Sequence, residues 1–106
     1  MGYMFRTQPN AQIHTVISIL VLLSGLFFQL SATEWCFLVV AAMLVLGAEA
    51  FNTALECLTD LVSPDYHPLA GRAKDVAAGG VMICAIGAAI IGLFVFVPHL
   101  WALCTN

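Results

Sequence analysis

Three long apolar segments dominate this chain of 106 residues and limit what it can fold into. They cover approximately residues 13–30, 34–62 and 71–97. A helix needs roughly 20 mostly apolar residues to cross a bilayer, and each segment is close to or above that length. Hydrophobic residues make up 62% of the chain and charged residues only 8%, which a small soluble domain could not bury. The sequence therefore predicts an all-α, polytopic membrane protein with three transmembrane helices, forming one domain over residues 1–106.

Short polar connections set the expected ends of these helices. Thr33 is a candidate N-cap for the second helix, because a hydroxyl can accept a hydrogen bond from a free backbone N–H there. Two prolines and an aspartate make residues 63–68 a loop. The third helix is expected to stop before Pro98, since proline removes a backbone donor.

The few basic residues predict an orientation. Arg6 precedes the first segment, while Arg72 and Lys74 lie between the second segment and the uncharged run 76–97 of the third, so all three fall on one side of the membrane. The positive-inside rule places that side, with the N-terminus, in the cytoplasm and the C-terminus outside. With only three basic residues and a net charge of -3, no nucleic-acid partner is expected.

The second segment carries a polar stripe made of Glu49, Asn52, Glu56 and Asp60. At about 100° per residue, they share a sector about 80° wide. An acid at the bilayer centre costs about 2.5–3.5 kcal/mol, so such residues usually face a bundle interior or a wet cavity.

Three interpretations of this stripe are open from the residues alone. The side chains could join helices by hydrogen bonds, which suits Asn52 best. They could hold Mg²⁺, which typically takes one or two carboxylates plus substrate phosphates, with Lys74 neutralising phosphate charge. They could also form a proton or ion path. Residues 76–97 of the third segment carry no charge, which favours a site open to one face over a path across the membrane.

Small residues recur at every fourth position of the third segment. They are Gly80, Cys84, Ala88 and Gly92. Such spacing allows close approach of helices, either between subunits of a homo-oligomer or within one chain. Three helices do not easily enclose a polar stripe, so we expect the homo-oligomer.

Residues 49–81, EAFNTALECLTDLVSPDYHPLAGRAKDVAAGGV, resemble the bacterial membrane-embedded diacylglycerol kinase and undecaprenol kinase family. The shared elements are the E-x-x-N-T-A-L-E helix, the D four residues on, the Y-H loop and the A-K-D before a small-residue helix. The resemblance implies a homotrimer in the bacterial inner membrane that transfers the γ-phosphate of ATP to a lipid hydroxyl at the cytoplasmic face. The acceptor is undecaprenol or diacylglycerol; the SPDYHPLA loop and the IIGLFVFVPHL ending are more similar to the undecaprenol branch.

The resemblance also implies roles for single residues. Glu49 is implied to be the catalytic base and Glu56 a Mg²⁺ ligand, and Gln8 stands where the family often has a second metal-binding glutamate. The positions implied to bind ATP are Glu56, Asp65, Tyr66, His67, Lys74 and Asp75. Asn52 and Asp60 occupy further polar positions of the family's active site.

Two departures from the family leave alternatives. Gln8 brings no negative charge, and residues 1–8 are expected to be too short for the amphipathic surface helix that the family has before its first span. A non-catalytic membrane module is therefore the first alternative, and a small ion-coupled carrier subunit is the second. His14 is expected to be interfacial, and His99 is expected to have no role.

Overall fold

The computed structural model describes residues 2–105, except for the side chains at positions 5 and 7, and all regular structure in this part is helical. The elements are α1 (Gly2–Thr7), α2 (Pro9–Phe28), α3 (Ala32–Val62) and α4 (Pro68–Thr105). The last three are each long and apolar enough to cross a membrane. The prediction of an all-α fold with three membrane-spanning helices is confirmed.

The central helix of the bundle is α3, which packs against both α2 and α4. The bundle is elongated, with extents of 60 × 24 × 20 Å. At the end where α2 turns into α3, the buried residues Leu30, Leu38 and Val95 form an apolar cluster. From this cluster, an apolar groove of about 480 Å³ runs between α2 and α4 as far as His14, with residues 38–45 of α3 as its floor. The polar stripe of α3 begins at Glu49, beyond the groove and further from the packed end.

The N-cap of α3 is Ser31, so the prediction of Thr33 was wrong. The Ser31 hydroxyl accepts a hydrogen bond from the Glu34 backbone N–H at 3.2 Å, and the Glu34 carboxylate accepts one from the Ser31 N–H at 3.1 Å. This reciprocal capping box needs a glutamate or glutamine three residues after the cap. Glu34 meets that requirement for Ser31, whereas the residue three after Thr33 is Cys36.

The last helix is longer at both ends than the sequence predicted. It begins at Pro68, because proline suits the first helical position and the Leu69 N–H donates to the His67 ring nitrogen Nδ1 at 3.1 Å. It also continues through Pro98 to Thr105, so the predicted stop before Pro98 was wrong. Proline removes one backbone hydrogen bond, but membrane helices tolerate this where neighbouring groups and small adjustments compensate.

The N-terminal part also differs from expectation. Residues 2–7 form the short helix α1, where residues 1–8 were expected to be too short for the family's amphipathic surface helix; Met1 lies outside the described residues. α1 packs against α2 and α3, with Met4 buried. Since α2 begins at Pro9 rather than near residue 13, Gln8 lies at the junction of α1 and α2.

Candidate functional site

The polar stripe of α3 runs from the buried middle of the bundle to its exposed end. Glu49 is 1% exposed, and Asn52 is also buried, whereas Glu56 is half-buried and Asp60 is exposed. Seven residues separate the two glutamates, which is about 10 Å along the helix axis. The stripe therefore joins a carboxylate shielded from water to acids that water can reach.

Glu49 lies against a histidine of the neighbouring helix. Its Oε1 atom is 2.8 Å from Nδ1 of His14 on α2. The two atoms are within ion-pair distance, but the contact lacks hydrogen-bond geometry, and both are buried atoms without a hydrogen-bond partner in the described part of the chain. A buried carboxylate oxygen without a partner is costly and calls for a specific explanation, such as a role in chemistry.

Glu56 is the centre of a second polar contact, between α3 and the α1–α2 junction. The Gln8 amide donates to Glu56 Oε2 at 3.2 Å, and the Asn52 amide donates to Glu56 Oε1 at 3.3 Å. Oδ1 of Asn52 is buried and has no hydrogen-bond partner within residues 2–105. The sequence analysis named Gln8, Asn52 and Glu56 separately. The structure brings them together, although Gln8 and Glu56 lie 48 positions apart in the chain.

A cleft of about 440 Å³ opens beside this contact. Its lining residues are Tyr3, Gln8, Glu56, Cys57, Asp60 and Leu61. At its rim, Lys74 of α4 forms an ion pair with Asp60. Both side chains of this pair are well exposed, so it adds little to stability, and the ammonium group remains available to a ligand.

The remaining residues predicted to bind nucleotide lie apart from this cleft. Asp65, Tyr66 and Asp75 are exposed, and Tyr66 is 89% exposed. His67 lines another groove, of about 500 Å³, between the end of α3 and the start of α4. Its Nδ1 atom caps α4, so only its second ring nitrogen is left to contact a nucleotide.

Glu56 is the carboxylate that the sequence analysis expects to bind Mg²⁺. Within the described part of the chain no group of three or more His, Cys, Asp or Glu side chains is placed to hold a metal. Mg²⁺ typically needs only one or two carboxylates and completes its shell with water and substrate phosphates. Glu56 offers one carboxylate, and the Gln8 and Asn52 amides beside it each direct an N–H towards it in this structure. The buried Oδ1 of Asn52 has no hydrogen-bond partner within residues 2–105.

Two histidines have contacts that the sequence analysis missed. His14 was expected to be interfacial but contacts Glu49, and His99 was expected to have no role but lies with Nε2 at 2.9 Å from Oε2 of Glu34. No local pattern marks either contact, because the partners lie 35 and 65 positions apart. The sequence carried only a weak signal. Each histidine is a single polar ring next to an apolar run, and its helix packs against α3, which carries the glutamate.

Comparison with known proteins places the chain among lipid kinases. Residues 1–96 match the family described as prokaryotic diacylglycerol kinase. The chain is 43% identical over 97 residues to an undecaprenol kinase of Bacillus subtilis, which covers 90% of this chain and 77% of that protein. It is 40% identical over 104 residues to a diacylglycerol kinase of Synechocystis sp., covering 97% of this chain and 59% of that protein. A diacylglycerol kinase of Escherichia coli is 31% identical over 84 residues, which covers 79% of this chain and 69% of that protein.

Proposed function

Since the chain belongs to the prokaryotic diacylglycerol kinase family, we propose that it is an ATP-dependent lipid kinase that phosphorylates the hydroxyl group of undecaprenol or diacylglycerol. The relatives' names support a lipid alcohol as the phosphate acceptor. The single observation that carries the proposal is the pair of polar contacts on α3: a buried glutamate with an unpartnered oxygen lies about two turns from an accessible acidic cleft. A lipid hydroxyl reaches the first from the membrane and ATP reaches the second from water.

Glu49 acts as the general base in this proposal. Its Oε1 atom has no hydrogen-bond partner within residues 2–105, so it is free to accept a hydrogen bond from the acceptor hydroxyl. General base catalysis requires such a contact at about 2.6–3.2 Å. Its backbone is fixed as well, because the buried Thr53 hydroxyl donates to the Glu49 carbonyl at 2.9 Å.

The apolar groove between α2 and α4 supports the acceptor side of the reaction. His14, which contacts Glu49, lies in its wall together with the small residues Ala41, Ala88 and Gly92. A Cβ atom added at Gly92 would meet nothing within 4 Å, so there is open space beside the helix there. We propose that a hydrocarbon chain of the acceptor lies in this groove with its hydroxyl towards Glu49.

The cleft beside Glu56 holds the phosphates of ATP. Glu56, Asn52 and Gln8 would hold Mg²⁺, which when bound neutralises phosphate charge. Lys74 adds a positive charge at the rim and is kept there by Asp60. Phosphoryl transfer depends mainly on positioning and on such charge neutralisation. Asp65, Tyr66, His67 and Asp75 remain proposed nucleotide contacts, reached through the loop between α3 and α4.

The proposed orientation in the membrane follows from the basic residues near the acidic cleft. Arg6, Arg72 and Lys74 lie at the end that carries the acidic cleft. We therefore place this end in the cytoplasm, where ATP is found, and the C-terminus outside the bacterial inner membrane. We further propose that three copies assemble as a homotrimer, as the family resemblance implies.

The test is a kinase assay on the purified chain in lipid–detergent micelles with Mg-ATP and either undecaprenol or diacylglycerol. We expect phosphorylated lipid from at least one acceptor. Glu49→Gln is expected to lower turnover by about 10²- to 10⁴-fold, the range for loss of a general base. Glu34→Gln, the same change at the other end of α3, is the matched control and is expected to retain activity. Turnover that is absent with every acceptor, or that is undiminished in Glu49→Gln, would contradict the proposal.

The first alternative, a non-catalytic membrane module, keeps one supporting observation. Gln8 makes a neutral amide contact to Glu56 at 3.2 Å, whereas a second carboxylate there would bind metal more strongly. The kinase assay decides this alternative as well, because a non-catalytic module would show no turnover even after Gln8→Glu.

A further inference from the structure

We propose that His14 receives the proton that Glu49 takes from the acceptor lipid and passes it to water. This inference rests on the proposed kinase function and extends it to the step in which Glu49 loses the proton again after each turnover. It begins from the separation of 2.8 Å between Nδ1 of His14 and Oε1 of Glu49, which is within the reach of a hydrogen bond although the two groups are not aligned for one before the substrate binds. His14 acts on the base, Glu49, and does not need to touch the substrate.

The chemistry makes an exit for the proton necessary. Transfer breaks the O–H bond of the lipid and the bond between the γ-phosphorus of ATP and its bridging oxygen, and it forms a bond between the lipid oxygen and that phosphorus. ADP leaves with the electron pair of the broken phosphorus–oxygen bond, and Glu49 is left protonated. Each turnover therefore loads one proton onto Glu49, which has to lose it before the next turnover.

Burial prevents Glu49 from losing this proton directly to water. Only 2% of its side chain is exposed, whereas 23% of the His14 side chain is exposed. The imidazole ring has two nitrogen atoms, so Nδ1 can accept a proton from the buried side while Nε2–H releases one to the accessible side. The ring thus links the shielded Glu49 carboxylate to a side chain that is more exposed.

The other elements packed around this pair offer no competing route in the described structure. On α3, the next acid is Glu56, about 10 Å further along, and both of its oxygens accept hydrogen bonds from amides. On α4, the wall of the groove beside His14 consists of uncharged residues such as Ala85 and Ala89. On α1, the Arg6 side chain donates to the Gly2 carbonyl at 3.3 Å.

Two variants of His14 test the inference in the kinase assay. His14→Gln keeps a polar group of similar size that cannot carry a proton at neutral pH, and His14→Ala leaves space for added imidazole. We expect kcat to fall by about 10²-fold in both variants, with the KM for ATP unchanged. Added imidazole should restore turnover in His14→Ala but not in His14→Gln.

His99→Ala is the matched control, because His99 also contacts a glutamate but at the other end of the bundle. It should keep the kcat of the unaltered protein and show no response to imidazole. An active His14→Gln would overturn the inference and indicate that His14 only orients Glu49. A loss in His14→Ala that imidazole does not restore would also contradict it. If the unaltered protein itself shows no turnover, it is the proposed kinase function that fails.

Discussion

Two histidine–glutamate pairs, one at the α2–α3 turn and one in the middle of the bundle, differ in how their polar atoms are satisfied. At the end with the α2–α3 turn, both carboxylate oxygens of Glu34 have partners: one accepts from the Ser31 N–H and the other lies 2.9 Å from His99. In the middle of the bundle, Oε1 of Glu49 and Nδ1 of His14 approach to 2.8 Å without forming a hydrogen bond. The first pair completes a helix cap, whereas the second leaves buried polar atoms unpaired.

Packing around the two ends differs in the same direction. Near Glu34, the Trp35 ring fills the space beside Gly25 so closely that an added Cβ atom there would lie 2.8 Å from it. Beside Glu56, the helices leave a polar cleft of about 440 Å³, and the apolar groove of about 480 Å³ extends from the Leu38 cluster as far as His14. Satisfied groups in tight packing stabilise a fold, while unsatisfied groups beside open space are typical of a site. The comparison predicts opposite results for matched changes at the two ends.

The largest difference is expected for Glu56→Gln. Loss of its charge should lower turnover by at least about 100-fold at fixed Mg²⁺, because even the supporting partners of metal ligands are worth about 10- to 100-fold. A titration of turnover against Mg²⁺ concentration measures the effect, and excess Mg²⁺ should recover part of it. Glu34→Gln is the control. Identical Mg²⁺ dependence in the two variants would remove the distinction between the ends.

The reverse change, Gln8→Glu, should strengthen the same site. A second carboxylate beside Glu56 is expected to lower the Mg²⁺ concentration for half-maximal turnover by about tenfold, which corresponds to about 1.4 kcal/mol. Gln29→Glu, at the other end of α2, provides the control for added charge. If the Mg²⁺ concentration for half-maximal turnover stays the same or rises after Gln8→Glu, the metal lies away from the α1–α2 junction.

Lys74→Ala tests the rim of the cleft. Loss of its charge should raise the KM for ATP by about tenfold, since a hydrogen bond to a charged group contributes about 1.5 kcal/mol. The control is Arg72→Ala, which removes an exposed positive charge two residues earlier. Equal KM values for the two variants would show that Lys74 serves only its ion pair with Asp60.

The sequence predicted the bundle and the stripe because both depend on local periodicity. Long apolar runs define the three spanning helices, and the helical repeat places Glu49, Asn52 and Glu56 on one face whatever surrounds them. Contacts between helices depend instead on how α2 lies along α3, which the turn at Gln29 (φ 54°) and the close approach of Gly25 to Trp35 determine. The register that brings His14 to Glu49 is therefore a tertiary property.

Two residues of or beside α4, Pro98 and His67, show the same difference between local preference and tertiary context. Pro98 does not end its helix as the sequence predicted, since α4 continues past it. The resemblance implies that His67 contacts a nucleotide, which stays a prediction, and the structure adds that one of its ring nitrogens caps α4. In both cases the surrounding helix sets a contact that the residue type alone did not indicate.

The smallest effect is expected at the satisfied end, from Ser31→Ala. Losing this N-cap should lower the free energy of unfolding by about 1 kcal/mol, because the Glu34 N–H loses its acceptor while the rest of the packed end stays intact. Unfolding of the purified protein in detergent measures the change, and the kinase assay should show unchanged turnover. Thr33→Ala, the neighbouring hydroxyl that the sequence alone favoured as the cap, should alter neither quantity. A loss of turnover in Ser31→Ala would mean that the two ends are coupled, and that the polar contacts around Glu49 depend on how α3 begins.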